Sequence, residues 1–146
     1  MDKAKTSTAH HGLPHRPPFV FVREIISCDP GQNAECLTNF EPNDPMFGGH
    51  FPGNPLVPGV ILTEALAQTA GIAAGSGSTG DSQPRFLLSA IRQMKFLRPV
   101  RPGERIVLRA QKIGEMSGLL QFKVAATVEE RVVAEGELVL NKLPAR

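Results

Sequence analysis

Two titratable side chains, His50 and Glu64, stand 14 positions apart in a 146-residue chain, and the residues around them give each a possible use. His50 belongs to a loop, Met46-Phe47-Gly48-Gly49-His50-Phe51-Pro52-Gly53-Asn54-Pro55-Leu56-Val57-Pro58, and Glu64 to the apolar run that follows it from Gly59. Histidine exchanges a proton near neutral pH, and a carboxyl group shielded from water can hold one ready to give away. Between the two lies the start of a helix, whose first backbone N–H groups have no intrahelical acceptor. A base, an acid and an oriented N–H donor suit proton abstraction beside a carbonyl. The base removes the α-proton, the N–H steadies the enolate oxygen, and the acid protonates a leaving group. The plainer alternative is that a loop histidine is structural or solvated and a helical glutamate sits on the surface.

The elements that must position these groups follow from the punctuation. Pro52, Pro55 and Pro58 forbid helix across the loop, while Gly48, Gly49 and Gly53 permit tight turns, so His50 is expected on a stiffened, irregular segment. From Gly59 to Ala74 the apolar positions Val60, Ile61, Leu62, Leu66 and Ile72, with many alanines, go almost all the way round a helix, which predicts its burial. Glu64 and Gln68 lie four apart on one face of it, where a buried carboxylate needs a partner. Glu64 is about five residues inside the helix, roughly 7.5 Å along the axis from Gly59, so only tertiary structure can bring it to His50.

The remainder reads as strands. Val20–Cys28 and Ala34–Phe40 flank the turn signal Asp29-Pro30-Gly31 and predict a hairpin. Gly75–Ser82 is a Gly-Ser loop, and Arg85–Phe96 carries apolar residues without clean alternation before the stiff turn Pro99-Val100-Arg101-Pro102-Gly103. Ile106–Ile113, Leu119–Val128 and Val132–Leu140 predict an antiparallel meander. The class is α+β. One helix apolar on all sides is buried only if a sheet curls round it or a second copy covers its open side, and either arrangement favours a dimer.

Composition bounds the rest. The chain supports one domain, with residues 1–12 read as a disordered polar tail and 13–146 as the folded unit. A net charge of +2 and the lack of Trp and Tyr speak against a nucleic-acid binder. The longest apolar run is too short for a membrane span and contains Glu64, and the opening residues have no signal-peptide core, which together point to the cytoplasm. His10, His11 and His15 cluster near the start without an acidic or Cys partner to complete a metal site. Cys28 and Cys36 are expected to be free thiols.

The run Gly49-His50-Phe51-Pro52-Gly53-Asn54-Pro55-Leu56-Val57-Pro58-Gly59, followed by Glu64-Ala65-Leu66-Ala67-Gln68, resembles the signature of the 3-hydroxyacyl-[acyl-carrier-protein] dehydratases of FabZ type. Leu13-Pro14-His15-Arg16 is similar to that family's opening, and Phe96-Leu97-Arg98-Pro99-Val100-Arg101-Pro102-Gly103-Glu104 to its turn after the helix. Two departures are Asn54, where a histidine is frequent, and Pro17, where an aromatic residue is usual; both bear on pocket shape. The resemblance implies a hotdog fold, an antiparallel sheet wrapped round one long helix, assembled as a homodimer or a trimer of dimers. It further implies that His50 is the base, that Glu64 from the other subunit is the acid, that the Gly59 amide holds the thioester carbonyl, and that Gln68 orients Glu64. Phe51 beside the base would line the substrate site. No metal or organic cofactor is implied, because proton transfers alone complete a β-elimination. A hotdog acyl thioesterase and a non-catalytic acyl-binding hotdog protein are the competing readings.

The implied partner is acyl carrier protein, which is strongly acidic. Between Arg92 and Arg105, the basic residues Arg92, Lys95, Arg98, Arg101 and Arg105 are accompanied in sequence by one acid, Glu104, so Arg92, Lys95, Arg98 and Arg101 are candidates for a carrier-steering rim.

Overall fold

A 17-residue helix, α1 (Gly59–Gly75), begins where the prolines end and carries the chain through the centre of the protein. The computed structural model describes residues 10–75 and 85–144. Around α1 run six strands, β1 (Glu24–Asp29), β2 (Asn33–Thr38), β3 (Arg85–Phe96), β4 (Ile106–Met116), β5 (Leu119–Val128) and β6 (Arg131–Leu143). They form one sheet in the order β1-β2-β4-β5-β6-β3, antiparallel at every pairing. The helix touches all six strands, most heavily β4 and β2, so the sheet curls about it. Along β2 and β5 the alternate residues Ala34, Cys36 and Thr38, and Leu120, Phe122, Val124 and Ala126, point inward onto the helical face of Ala65, Leu66, Ala70 and Ala73.

Beyond its first turn, where Gly59, Val60 and Ile61 are all less than fully buried, the less buried positions of α1 are Glu64, Gly71 and Ala74, which share one side of the helix with Val60, so the helix has one partly open stripe and Glu64 is on it. Val60 is 74 % exposed, which departs from an expectation of burial on all sides. The sheet closes round the rest and leaves this stripe to other contacts.

Several boundaries differ from expectation for identifiable reasons. The first strand begins at Glu24 and not at Val20, because the backbone ahead of it bonds to side chains: Phe21 N–H donates to Gln68 Oε1, and the Thr38 hydroxyl donates to Phe21 O. The second ends at Thr38, short of Phe40, whose carbonyl takes the Gly103 N–H. Between them Gln32 N–H closes onto Asp29 O, with Gly31 at φ +77°. Arg85–Phe96 is strand throughout, and its broken alternation comes from register shifts between Leu88 and Ala90 and between Arg92 and Lys95.

The described residues begin at His10, inside the stretch 1–12 expected as a tail, and His10 and His11 make contacts with the residues that follow. Leu13 N–H bonds to His10 O, and His11 Nε2 donates to Val22 O. Burial holds the His11 imidazole below its ordinary pKa, partly opposed by that bond. The rest of the expected tail, residues 1–9, and most of the Gly-Ser loop lie outside the described residues. Both cysteines are thiols, and burial pushes Cys36 up to about 12, opposed in part by its hydrogen bond with Thr69. No helix among the described residues is long and apolar enough to cross a membrane.

At the second shift in β3 the strand crosses close over Gly136 of β6, where an added Cβ would meet Met94 Cα and Sδ at 2.7 Å. Backbone cannot give way as a flexible side chain does. Gly136→Ala is therefore expected to lower unfolding stability by roughly 1–3 kcal/mol in denaturant titration, without altering the secondary-structure content.

Candidate active site

His50 is held by its own loop. Its backbone N–H donates to Met46 O, its carbonyl accepts from Leu56 N–H, and its ring Nδ1 lies 3.0 Å from Leu56 O. A carbonyl only accepts, so Nδ1 carries the hydrogen and, in the neutral ring, Nε2 keeps its lone pair. Phe51 and Asn54 exchange backbone hydrogen bonds inside that pair, and Gly53 takes the φ of +75° that the tight turn requires. Asn54, one of the two departures from the resembled motif, thus closes the turn with its main chain. Ahead of the loop, Asp44 Oδ1 accepts from Met46 N–H and buried Phe47 anchors a short turn, Pro45–Gly48. Behind it, Val57 N–H bonds to Val100 O, so the histidine loop is tied to the stiff turn 99–103 through two buried valines. Phe51 stacks on the His50 ring with centroids 4.0 Å apart and is half exposed.

Glu64 is held from a different side. Gln68, 1 % exposed, accepts from Phe21 N–H through Oε1 at 2.9 Å and donates through Nε2 to Phe19 O at 3.0 Å and to Glu64 Oε2 at 3.2 Å. Because Oε1 must face an N–H, the amide has one orientation, and its second N–H can only point at Glu64. His15 Nε2 lies 3.4 Å from the same Glu64 oxygen.

The two groups line separate cavities that share no residue. One, of about 200 Å³, is bordered by Leu13, His15, Glu64, Gln68 and the β3 residues Phe86, Leu87 and Leu88. The other, of about 250 Å³, is bordered by His50, Leu56, Gly59, Phe96, Leu97 and Arg98. They sit toward opposite ends of β3, so one copy of the chain brings Gln68 to Glu64 and Gly59 to His50 but leaves Glu64 and His50 in different cavities.

Gly59 opens the helix, whose first bonds run from Ile61 and Leu62 N–H to Pro58 O, so its own amide precedes the ladder. Gly59 lies under an aromatic ring: an added Cβ would meet the Phe96 ring at 3.0–3.2 Å. The missing side chain makes room for an aromatic ring. Arg92 and Lys95 stand opposite Glu137 and Glu135 of β6, acids far away in sequence, and the Arg101 N–H is bonded by Glu104. Arg98 is exposed at the rim of the His50 cavity, and the Arg101 side chain is exposed next along the turn. Sequence reasoning missed the packing of Phe96 over Gly59 and the contact of His15 with Glu64, each of which joins segments distant in sequence. Among the described residues no group of three His, Cys, Asp or Glu side chains could hold a metal.

The model of the FabA-like domain matches residues 13–137. The chain belongs to the FabA-like family. Within it, the 3-hydroxyacyl-[acyl-carrier-protein] dehydratase FabZ of Ralstonia nicotianae is 40% identical over 129 residues, covering 87% of this chain and 79% of that one. The FabZ of Acetivibrio thermocellus is 40% identical over 126 residues, covering 86% of each. Among solved structures, the dehydratase heterocomplex ApeI:P from Xenorhabdus doucetiae superposes with a TM-score of 0.73 at 15% identity, over 91% of this chain and 89% of that one. An HP0420 homologue from Helicobacter felis gives 0.68 at 16% identity, over 93% and 88%. These place the fold of this FabA-like chain as a hotdog, as expected.

The Phe96 ring over Gly59 generates a test. Gly59→Ala should push the ring off the helix start, leaving the fold intact but changing the shape of the His50 cavity. A crystal structure of the variant would show the ring displaced, and turnover of the substrate considered below should fall.

Proposed function

We propose that the protein dehydrates (3R)-3-hydroxyacyl chains on acyl carrier protein to trans-2-enoyl chains, as a step of fatty-acid biosynthesis. The FabZ relatives, matched across most of their length, support the reaction. The observation that carries the mechanism is the His50 tautomer: Nδ1 is committed to Leu56 O, which leaves Nε2 to act as a base. In the proposed step His50 Nε2 takes the proton from C2 of the acyl chain. The pair from that C–H bond becomes the C2–C3 double bond as the C3–O bond breaks. Negative charge gathered on the thioester oxygen is met by the Gly59 N–H, and Glu64, protonated at the outset, gives its proton to the departing hydroxyl, which leaves as water. Gln68 holds Glu64, and Phe51 beside His50 borders the bound chain.

Acid and base meet in this reading across two copies. Among the described residues β3 is an edge strand bonded to β6 alone, and Leu87, Ile91 and Phe96 are at least half exposed. Such an edge invites pairing with another strand. Two β3 strands set antiparallel about a two-fold axis bring Phe86–Leu88 of one beside Phe96 of the other, and so the Glu64 cavity of one against the His50 cavity of its partner. A homodimer is the smallest assembly that does this, and a trimer of dimers would contain the same pair. Arg98 at the mouth would steer the acidic carrier, with Arg101 next along the turn. An enzyme of carrier-borne acyl chains would work in the cytoplasm.

His50→Ala is expected to cut dehydration about a hundred- to ten-thousand-fold with the fold retained, read as loss of enoyl product from a 3-hydroxyacyl thioester. Release of free thiol by the wild type would instead mark a thioesterase. Glu64→Gln should lower kcat more than it raises KM. Mixed His50→Ala and Glu64→Gln protomers should regain part of the activity; no recovery, with subunit exchange verified, would put the site within one chain. Reversing Arg98 and Arg101 to Glu should reduce kcat/KM further for carrier-borne substrate than for a short thioester analogue, and more at low salt than at high.

A further inference from the structure

The carboxyl of Glu64 has a second neighbour that neither the resemblance nor the comparisons give a role, and we infer that His15 is a positioning residue which, with Gln68, fixes which Glu64 oxygen carries the proton. The inference rests on the reading above of Glu64 as the acid.

Three observations support it. His15 Nε2 and Gln68 Nε2 converge on one oxygen, Oε2, at 3.4 and 3.2 Å. The His15 separation is longer than a formed N–H···O bond of about 2.7–3.2 Å, a gap that a small rotation of either side chain closes. Second, the other ring nitrogen, Nδ1, is buried and has no partner among the described residues. A hydrogen there would be stranded, whereas on Nε2 it faces a carboxyl oxygen, so the neutral ring carries its hydrogen on Nε2 and donates. Third, the ring is held in place: Arg16 clasps the backbone carbonyls of Leu13 and His15, and the ring stacks on Phe19 with centroids 6.1 Å apart. The Phe19 carbonyl is in turn bonded by Gln68, so both donors belong to one connected framework.

A carboxylic acid has one carbonyl-type oxygen and one hydroxyl. Two N–H donors on Oε2 make it the carbonyl-type oxygen, because a proton there would oppose both. The acidic hydrogen is left on Oε1, and once it departs the same donors stabilise the charge on Oε2. His15 touches no reacting atom; it sets where the proton starts and steadies the carboxylate that forms.

The test compares His15→Gln, His15→Asn and His15→Leu in the full-length protein, with the melting temperature of each as the control for folding. A glutamine amide reaches the place of Nε2, and the shorter asparagine reaches only that of Nδ1. His15→Leu and His15→Asn are expected to lose about ten- to a hundred-fold in kcat with KM nearly unchanged, while His15→Gln recovers most of it. In a Glu64→Gln background the leucine change should add little further loss, since the group through which His15 acts is gone. Equal losses in the glutamine and asparagine variants, full activity in the leucine variant, or additive losses with Glu64→Gln would each overturn the inference. Should His15→Leu fail to fold, the glutamine and asparagine pair decides alone. A Glu64→Gln protein with normal turnover would sink the acid assignment itself, a different result from a normal His15→Leu protein beside an inactive Glu64→Gln one.

Discussion

The enclosure of α1 is the constraint from which the rest follows. A helix wrapped by six strands cannot carry an unpaired polar group except at large cost, yet Gln68 is 1 % exposed in its middle. It is tolerated because its oxygen and both of its hydrogens are used. Two of those bonds fall on the backbone of Phe19 and Phe21, so one amide pins the irregular entry segment to the helix and decides that the first strand starts only at Glu24. The third bond falls on Glu64. A polar side chain in an apolar helix thereby links the packing of the domain to the orientation of the one carboxyl on its open stripe.

His50 is fixed by a different principle. Its loop has almost no core of its own and relies on main-chain pairs, Phe51 with Asn54 and His50 with Leu56, and on the tie from Val57 to Val100. Such bonds set the backbone with few side chains, which is why prolines and glycines dominate the segment. Carboxyl and imidazole therefore sit on independently braced supports. Neither depends on the other for its geometry, as the proposed dehydration requires of two groups that would each exchange a proton with the substrate and not with each other.

The edge of the sheet connects the two. β3 has no buried residue and exposes apolar side chains along its length, an unusual state for a strand in a monomer. Its two register shifts bend it, and the Gly136 contact shows how closely it then lies on β6. One end of this strand borders the Glu64 cavity and the other the His50 cavity.

The helix, the hairpin turn at Asp29–Gly31, the meander and the irregular His50 loop were all legible in the sequence. Each rests on local chemistry: apolar periodicity, the fixed φ of proline and the freedom of glycine act between near neighbours and leave their mark in the residue order. The Glu64–Gln68 pair was legible too, since four residues is one helical turn. What the order of residues does not contain is the meeting of distant segments. That Phe96 fills the space over Gly59, that Glu135 and Glu137 stand opposite Lys95 and Arg92, and that His15 reaches Glu64 depend on strand register and on the path of an irregular entry segment. Those were decided by the closing of the sheet around α1. The residues were set out in the sequence, but their neighbours came from burial and register, which act across the whole fold.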